Sequence, residues 1–372
     1  MLEKTCRSWG YEIMWIDNAI FKEDMEHIAA CKSIEWEKLK GKTILVTGAT
    51  GLIGSTLVSA LIYVNSKMNL NLTILALVRD LTKAKEKFAK QIQYADCLIF
   101  VVGTVENLPE ITSNVDYIVH GANPTSSAFF VEHPVATIQI ALNGTTKLLD
   151  LASSKQVAGF VYLSSMEVYG APNKDDIIPE TQGTTLDTMA VRSSYPEAKR
   201  ICECLCASYV SEYNVPAMVV RLAQTFGPGV DIDDNRVFAE FARCAMQKQD
   251  IVLQTSGASK RCYLYTADAV TAILTVLLSG EAGNAYNAAN PSTYCSIVEM
   301  AYMVAKALTN NSIKVQVPSV EKQLLKYTPF HKLNLSIDKL KKIGWLPSYS
   351  LQDCYVRLLN SRETLNEKDY YI

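Results

Sequence analysis

The chain has 372 residues, of which 49% are apolar and 20% charged, and its formal net charge is −2. Such a mix belongs to an ordinary globular protein, long enough for one large domain or two modest ones. Near-neutrality removes the global electrostatic case for nucleic acid or a membrane surface, and no apolar run reaches spanning length, since even 251–278 is broken by Lys260, Arg261 and Asp268.

Residues 1–40 form an N-terminal extension with a predicted helix over roughly 22–39 and three tryptophans, Trp9, Trp15 and Trp36. Three such side chains imply packing against something rather than a disordered tail. Acidic residues interrupt the first apolar pattern, so it does not read as a signal peptide. The ten cysteines form no C-x-x-C pair and only four histidines are present. We therefore expect reduced, mostly buried cysteines in a cytoplasmic protein, and no metal site. Cys202, Cys204 and Cys206 alternate within a helical stretch, where residues two apart point away from each other.

Residues 41–62 read GKTILVTGATGLIGSTLVSALI: an apolar strand, a turn with Gly48, Gly51 and Gly54, then a helical pattern. This order suits a pyrophosphate. Gly48 permits the tight turn, Gly51 removes a Cβ where backbone must approach phosphate, and the helix start offers free N–H groups. Thr50, Leu52 and Ile53 belong to the same candidate cofactor-binding turn. Strand and helix then alternate through 72–78, 97–103, a short helix, 116–122 and the helix 134–152. Short Val/Ile/Leu runs suit strands buried on both faces of a parallel sheet, so the fold class is α/β, a doubly wound parallel sheet of Rossmann type. The strand ending its first βα step finishes in Arg79-Asp80. An acid there would pair with the ribose hydroxyls of NAD and an arginine would accept the extra phosphate of NADP, so both cofactors remain open.

The pattern continues with a strand over 160–165, a helix over 196–212 and a strand over 217–223. Ser165 falls at the carboxyl end of its strand, where a sheet delivers functional groups. Tyr195 and Lys199, in YPEAK, share one helix face. A phenol titrates near pH 10, and a nearby ammonium would bring it towards the working range. After residue 226 the texture changes to a smaller mixed lobe with helices near 237–249, 268–279 and 296–308. The expected division is the extension 1–40, an NAD(P)-binding domain 41–226 and a mostly substrate-binding lobe 227–372.

Taken together, TGATGLIG, YLSSMEVYG, YPEAK and RLAQTFGPG resemble the extended short-chain dehydrogenase/reductases of the NAD-dependent epimerase/dehydratase family, which modify nucleotide sugars. The resemblance covers about 41–345. It implies that Tyr195 takes the proton of the sugar 4-hydroxyl while hydride goes to the nicotinamide. Lys199 would hold the nicotinamide ribose and lower the tyrosine pKa, and Ser165 would hydrogen-bond the reacting oxygen. Glu167 falls where decarboxylases and dehydratases carry a glutamate, and HPVATIQIALNGT is similar to UDP-glucuronate decarboxylases. Arg236 and Arg261 would then contact the nucleotide diphosphate. Departures stand beside these matches: Ala141 replaces the usual helix asparagine, with Asn143 expected to face elsewhere. Gln224 replaces the asparagine after R-x-x, and Met166 replaces the dehydratase aspartate. The expected activity is C4 oxidation by bound NAD(P), then re-reduction after epimerisation or decarboxylation, on a nucleotide-diphosphate sugar by a homodimer. A 4,6-dehydratase, a simple 4-reductase and a silent dinucleotide-binding regulator are the alternatives.

Overall fold

The computed structural model describes residues 18–92, 95–318 and 330–366; Trp9 and Trp15 lie outside them. Five strands, β1 (Thr43–Thr47), β2 (Thr73–Val78), β3 (Leu98–Val102), β4 (Tyr117–His120) and β5 (Gly159–Ser165), begin a seven-stranded sheet. The next strand, β6 (Ile177–Ile178), joins a second sheet, whereas β7 (Ala217–Leu222) returns to the first. Then follow β8 (Gln224–Phe226), β9 (Ile251–Val252), β10 (Lys260–Tyr265) and β11 (Ala285–Ala288), the last completing the large sheet. Finally come β12 (Asn290–Ser296), β13 (Val315–Gln316) and β14 (Lys332–Leu335).

The large sheet has the order β11-β7-β5-β4-β1-β2-β3 and is parallel throughout. Strand order reverses between β1 and β4, which opens a crevice at their carboxyl ends. Alternation divides each strand between two cores. Ile44 and Val46 join the cluster that includes Leu57, Leu61 and Ile273, while Leu45 joins Leu148, Phe160 and Cys202. Helices therefore cover both faces: Leu52–Met68 and Thr266–Ser279 on one, Pro134–Lys155 and Ser194–Tyr213 on the other. Cys202 and Cys206 are buried there and Cys204 is exposed, as helical spacing requires.

The smaller sheet runs β12-β10-β14-β6 with β8 also paired to β10. It draws β6 and β8 from before residue 227, while β11 of the large sheet comes after it, so the chain crosses between sheets more than once. Three sequence expectations need correction. Residues 104–115 form turns around Pro109 instead of a short helix. Strand β3 is an edge, with Ile99 48% and Val102 52% exposed, so its apolar run is not buried on both faces. The extension's helix is Ala19–Ala29, followed by a single 3-10 turn at Trp36–Leu39. Between them Ser33 shares a hydrogen bond with Thr275 (2.8 Å), bending the chain onto the helix Thr266–Ser279. Trp36 packs into the core. Beneath the same helix, Asp24 meets Arg357 Nη2 (2.8 Å) and the Tyr265 hydroxyl, and burial raises its carboxyl to about 6 against the pull of that arginine.

Candidate active site

Strand β1 delivers the glycine turn into the crevice. Gly48 has φ +71°, and a Cβ on it would stand 2.8 Å from the Gly121 carbonyl carbon at the end of β4. A Cβ on Gly54 would stand 2.0 Å from Gly48 O, so that glycine is the contact of helix on turn. Gly51 differs. Its Cβ would meet only Gly48 O, at 3.3 Å, so its bareness serves approach from outside more than internal packing. Gly51 is the N-cap of Leu52–Met68 and contributes no side-chain cap; Thr50 is exposed, and Leu52 and Ile53 are half-buried. Beside the turn, the Nδ2 of Asn123 is buried without a hydrogen-bond partner among the described residues. An uncapped helix start, a turn no side chain could fill and an orphaned amide donor fit a dinucleotide. Arg79 and Asp80 lie exposed at the end of β2. Asp80 has a task the sequence did not reveal: its Oδ1 accepts the Lys83 N–H (3.0 Å) and caps the helix Leu81–Lys87.

Strand β5 delivers the second half of the site. Ser165 ends it, and its Oγ accepts the Glu167 N–H (3.2 Å), starting the one-turn helix Met166–Tyr169. The same hydroxyl faces the Tyr195 phenol and lowers its pKa. Tyr195, in the first turn of Ser194–Tyr213, stacks on Phe130 with ring centroids 4.2 Å apart and planes 13° from parallel. The Arg192 guanidinium lies 5.2 Å from the other ring of that pair, Phe130, and its Nη2 donates to Glu167 Oε2 at 2.8 Å. Ser165, Glu167 and Tyr195 are thus brought together, with Arg192 and Phe130 completing the group.

Lys199 is 4% exposed. Its Nζ donates to Leu163 O (2.6 Å) and stands 5.8 Å from the Tyr195 ring centre. Burial lowers its pKa to about 8. With one acceptor among the described residues for three ammonium protons, Lys199 has donors left for a ribose. Burial raises the Tyr195 phenol well above its ordinary range, and Glu167 pushes it further the same way, while Ser165, Arg192 and Arg236 pull it down. In the protein without its cofactor burial dominates, and the charges that pull the phenol down are those of Arg192 and Arg236.

Among the proposed substrate contacts, Arg236 lies within electrostatic reach of Tyr195, packs over Phe238 and is held by both carboxylate oxygens of Asp234 (3.0 Å each to Nε). Arg261 sits apart on β10, paired across the sheet with Cys295 and Leu333, and its buried Nε has no hydrogen-bond partner among the described residues. Met166 and Ala141 are buried, and Asn143 is exposed. Gln224 lies on β8 opposite Tyr263.

Sequence reading missed Arg192, Phe130, Asn123 and His120. Arg192 precedes Tyr195 by three residues, which was the one available signal; Phe130 comes from the distant short helix Ser127–Glu132 and carries none. His120 is fully buried at the end of β4, its Nδ1 2.8 Å from Thr47 Oγ1 and its Nε2 3.2 Å from Thr145 Oγ1. Burial, reinforced by the charge of Lys199, lowers it to about 3, so it is a neutral bridge beneath the site.

The fold is that of a dinucleotide-binding protein, and it gathers a serine, a tyrosine and a lysine around one group. The chain belongs to the NAD dependent epimerase/dehydratase family, whose model matches residues 44–289. UDP-glucuronic acid decarboxylase 2 of Arabidopsis thaliana is 31% identical over 317 residues, 85% of this chain and 67% of that protein. UDP-glucuronic acid decarboxylase 5 of the same plant is 31% identical over 83% of this chain and 86% of its own. Among solved structures, UDP-glucose 4-epimerase of Thermotoga maritima, with UDP-glucose, superposes with TM-score 0.72 at 21% identity, over 87% of this chain and 99% of that one. The NAD-bound dTDP-glucose 4,6-dehydratase of Streptomyces venezuelae gives 0.73 at 20% identity, over 88% and 98%. These two show the same fold. NAD is the cofactor of the family. Among the described residues no helix is long and apolar enough to cross a membrane.

Proposed function

We propose that the chain decarboxylates a nucleotide hexuronate by transient oxidation at C4. The observation that carries this reading is the placement of the Glu167 carboxylate, held by Arg192, beside Ser165 and Tyr195. When bound, NAD accepts hydride from C4 and later returns it. Tyr195 takes the 4-hydroxyl proton, Ser165 hydrogen-bonds the resulting C4 oxygen, and Lys199 holds the ribose and favours phenolate. A C4 ketone stands β to the C6 carboxylate, so the C5–C6 bonding pair can pass into the carbonyl as carbon dioxide leaves. The Ser165 and Tyr195 donors hold the developing oxyanion, and Glu167 handles the proton that C5 then takes up. The two similar plant decarboxylases support this choice.

The glycine turn with Lys199 would hold NAD, Arg79 would tune the choice between NAD and NADP, and Arg236 with Arg261 would take the diphosphate. We further propose that residues beyond 226 supply most of the sugar-nucleotide contacts, and that the protein works in the cytoplasm. A homodimer would cover the exposed Val135 and Ile138 of one helix and Ile201 of its packed neighbour. The test is product analysis by mass spectrometry with UDP-glucuronate, for the parent and Glu167→Gln. Loss of carbon dioxide by the parent and its near-abolition in the variant is the expected result. A parent that yields only the 4-epimer, with Glu167→Gln unimpaired, would replace decarboxylation by epimerisation.

A further inference from the structure

Resting on the reading of Tyr195 as the base, we propose that Arg192 is a positioning residue that locks Glu167 and the Phe130–Tyr195 stack into one charge-balanced unit. Two contacts support it. The arginine donates to Glu167 at 2.8 Å with only 20% of its side chain exposed, and its guanidinium carbon lies 5.2 Å from the centre of the Phe130 ring, itself stacked on Tyr195. The chain thus places an acid, a cation, an apolar spacer and the phenol in contact, using three separate segments.

A carboxylate next to a phenol that must ionise opposes that ionisation, and a cation paired to the carboxylate cancels the opposition. The groups facing Tyr195 come from every side. Glu167 and Ser165 belong to the end of β5 and its following turn, Arg192 to the turn before the helix, Lys199 to the helix itself, and Arg236 to the smaller lobe. Arg236 is already held by Asp234 and Lys199 by Leu163 O, whereas Arg192 alone among these cations pairs with the opposing acid. Arg192 therefore permits Glu167 to be kept close to the reacting carbon without silencing the base.

The test uses NAD-loaded parent, Arg192→Gln, Glu167→Gln, the double variant and Arg192→Lys. Two readouts are taken: the pH profile of kcat/KM, and the near-ultraviolet phenolate titration relative to Tyr195→Phe, which needs no turnover. Arg192→Gln should move the Tyr195 limb up by about one pH unit, Glu167→Gln should move it down, and the double variant should return near the parent. Arg192→Lys, which keeps the charge, should stay close to the parent and serves if the glutamine variant does not fold. A limb unmoved in Arg192→Gln and Arg192→Lys alike, with rate lost equally at every pH, would overturn the proposal and leave Tyr195 as the base. A Tyr195 that contributes no titration at all would overturn both.

Discussion

At the scale of single residues, the site sets one buried phenol against the charges around it. Burial holds Tyr195 protonated, so its ionisation needs help from Arg192, Arg236 and the positive ring of the oxidised cofactor. Tyr195→Phe keeps the ring and its stack on Phe130 but removes the proton acceptor; turnover should fall by about 10²-fold or more while NAD still binds. Lys199→Met should weaken NAD binding as well as turnover, measured by calorimetry and initial rates. Effects confined to turnover would show that Lys199 does not hold the ribose. His120 gives a different prediction. Its pKa of about 3 in the folded protein, against an ordinary 6.5, means that the unfolded chain binds its proton first. Stability from this group is complete above the unfolded value and is lost as pH falls through the folded one. Between about pH 7 and pH 5 it should cost about 2 kcal/mol, a loss that His120→Gln should abolish in denaturant titrations. Asp24 runs the opposite way, since its raised carboxyl favours the fold at lower pH, so the comparison must be parent against variant. A parent and variant with identical pH dependence would refute the neutral bridge.

At the scale of elements, the glycine turn separates two kinds of glycine. Gly48→Ala places a Cβ at positive φ against the backbone of Gly121 and should destabilise the whole sheet. Gly51→Val meets little inside the protein, so its melting temperature should stay near the parent while NAD affinity is lost; full NAD binding by Gly51→Val would contradict the turn's assignment. This turn was legible because strand, glycine spacing and helix start are neighbours in sequence. So were the strand end at Ser165 and the Tyr195/Lys199 face, each set by local period. The edge position of β3 was not legible, because Leu98–Val102 has the same apolar run as an interior strand and only the sheet order exposes Ile99 and Val102. Nor was the helix cap at Asp80, where one carboxylate could equally have served a ribose.

At the scale of the whole molecule, two sheets meet over the carboxyl ends of the large one, and the chain passes between them several times. That crossing brings Arg236 from the smaller lobe to Tyr195, and Phe130 from the short helix Ser127–Glu132 after β4 onto its ring. Contacts of this kind join residues 41 or more positions apart through topology alone, which is why Arg236 could be proposed only by resemblance and Phe130 not at all. In the proposed reaction hydride leaves C4 and comes back within one bound cofactor. UDP-glucuronate deuterated at C4, incubated with the NAD-loaded protein, tests this most directly. The expected result is a decarboxylated product that keeps its deuterium at C4, with the bound cofactor oxidised again at the end. Deuterium accumulating in released NADH, or a decarboxylated product carrying solvent hydrogen at C4, would contradict it.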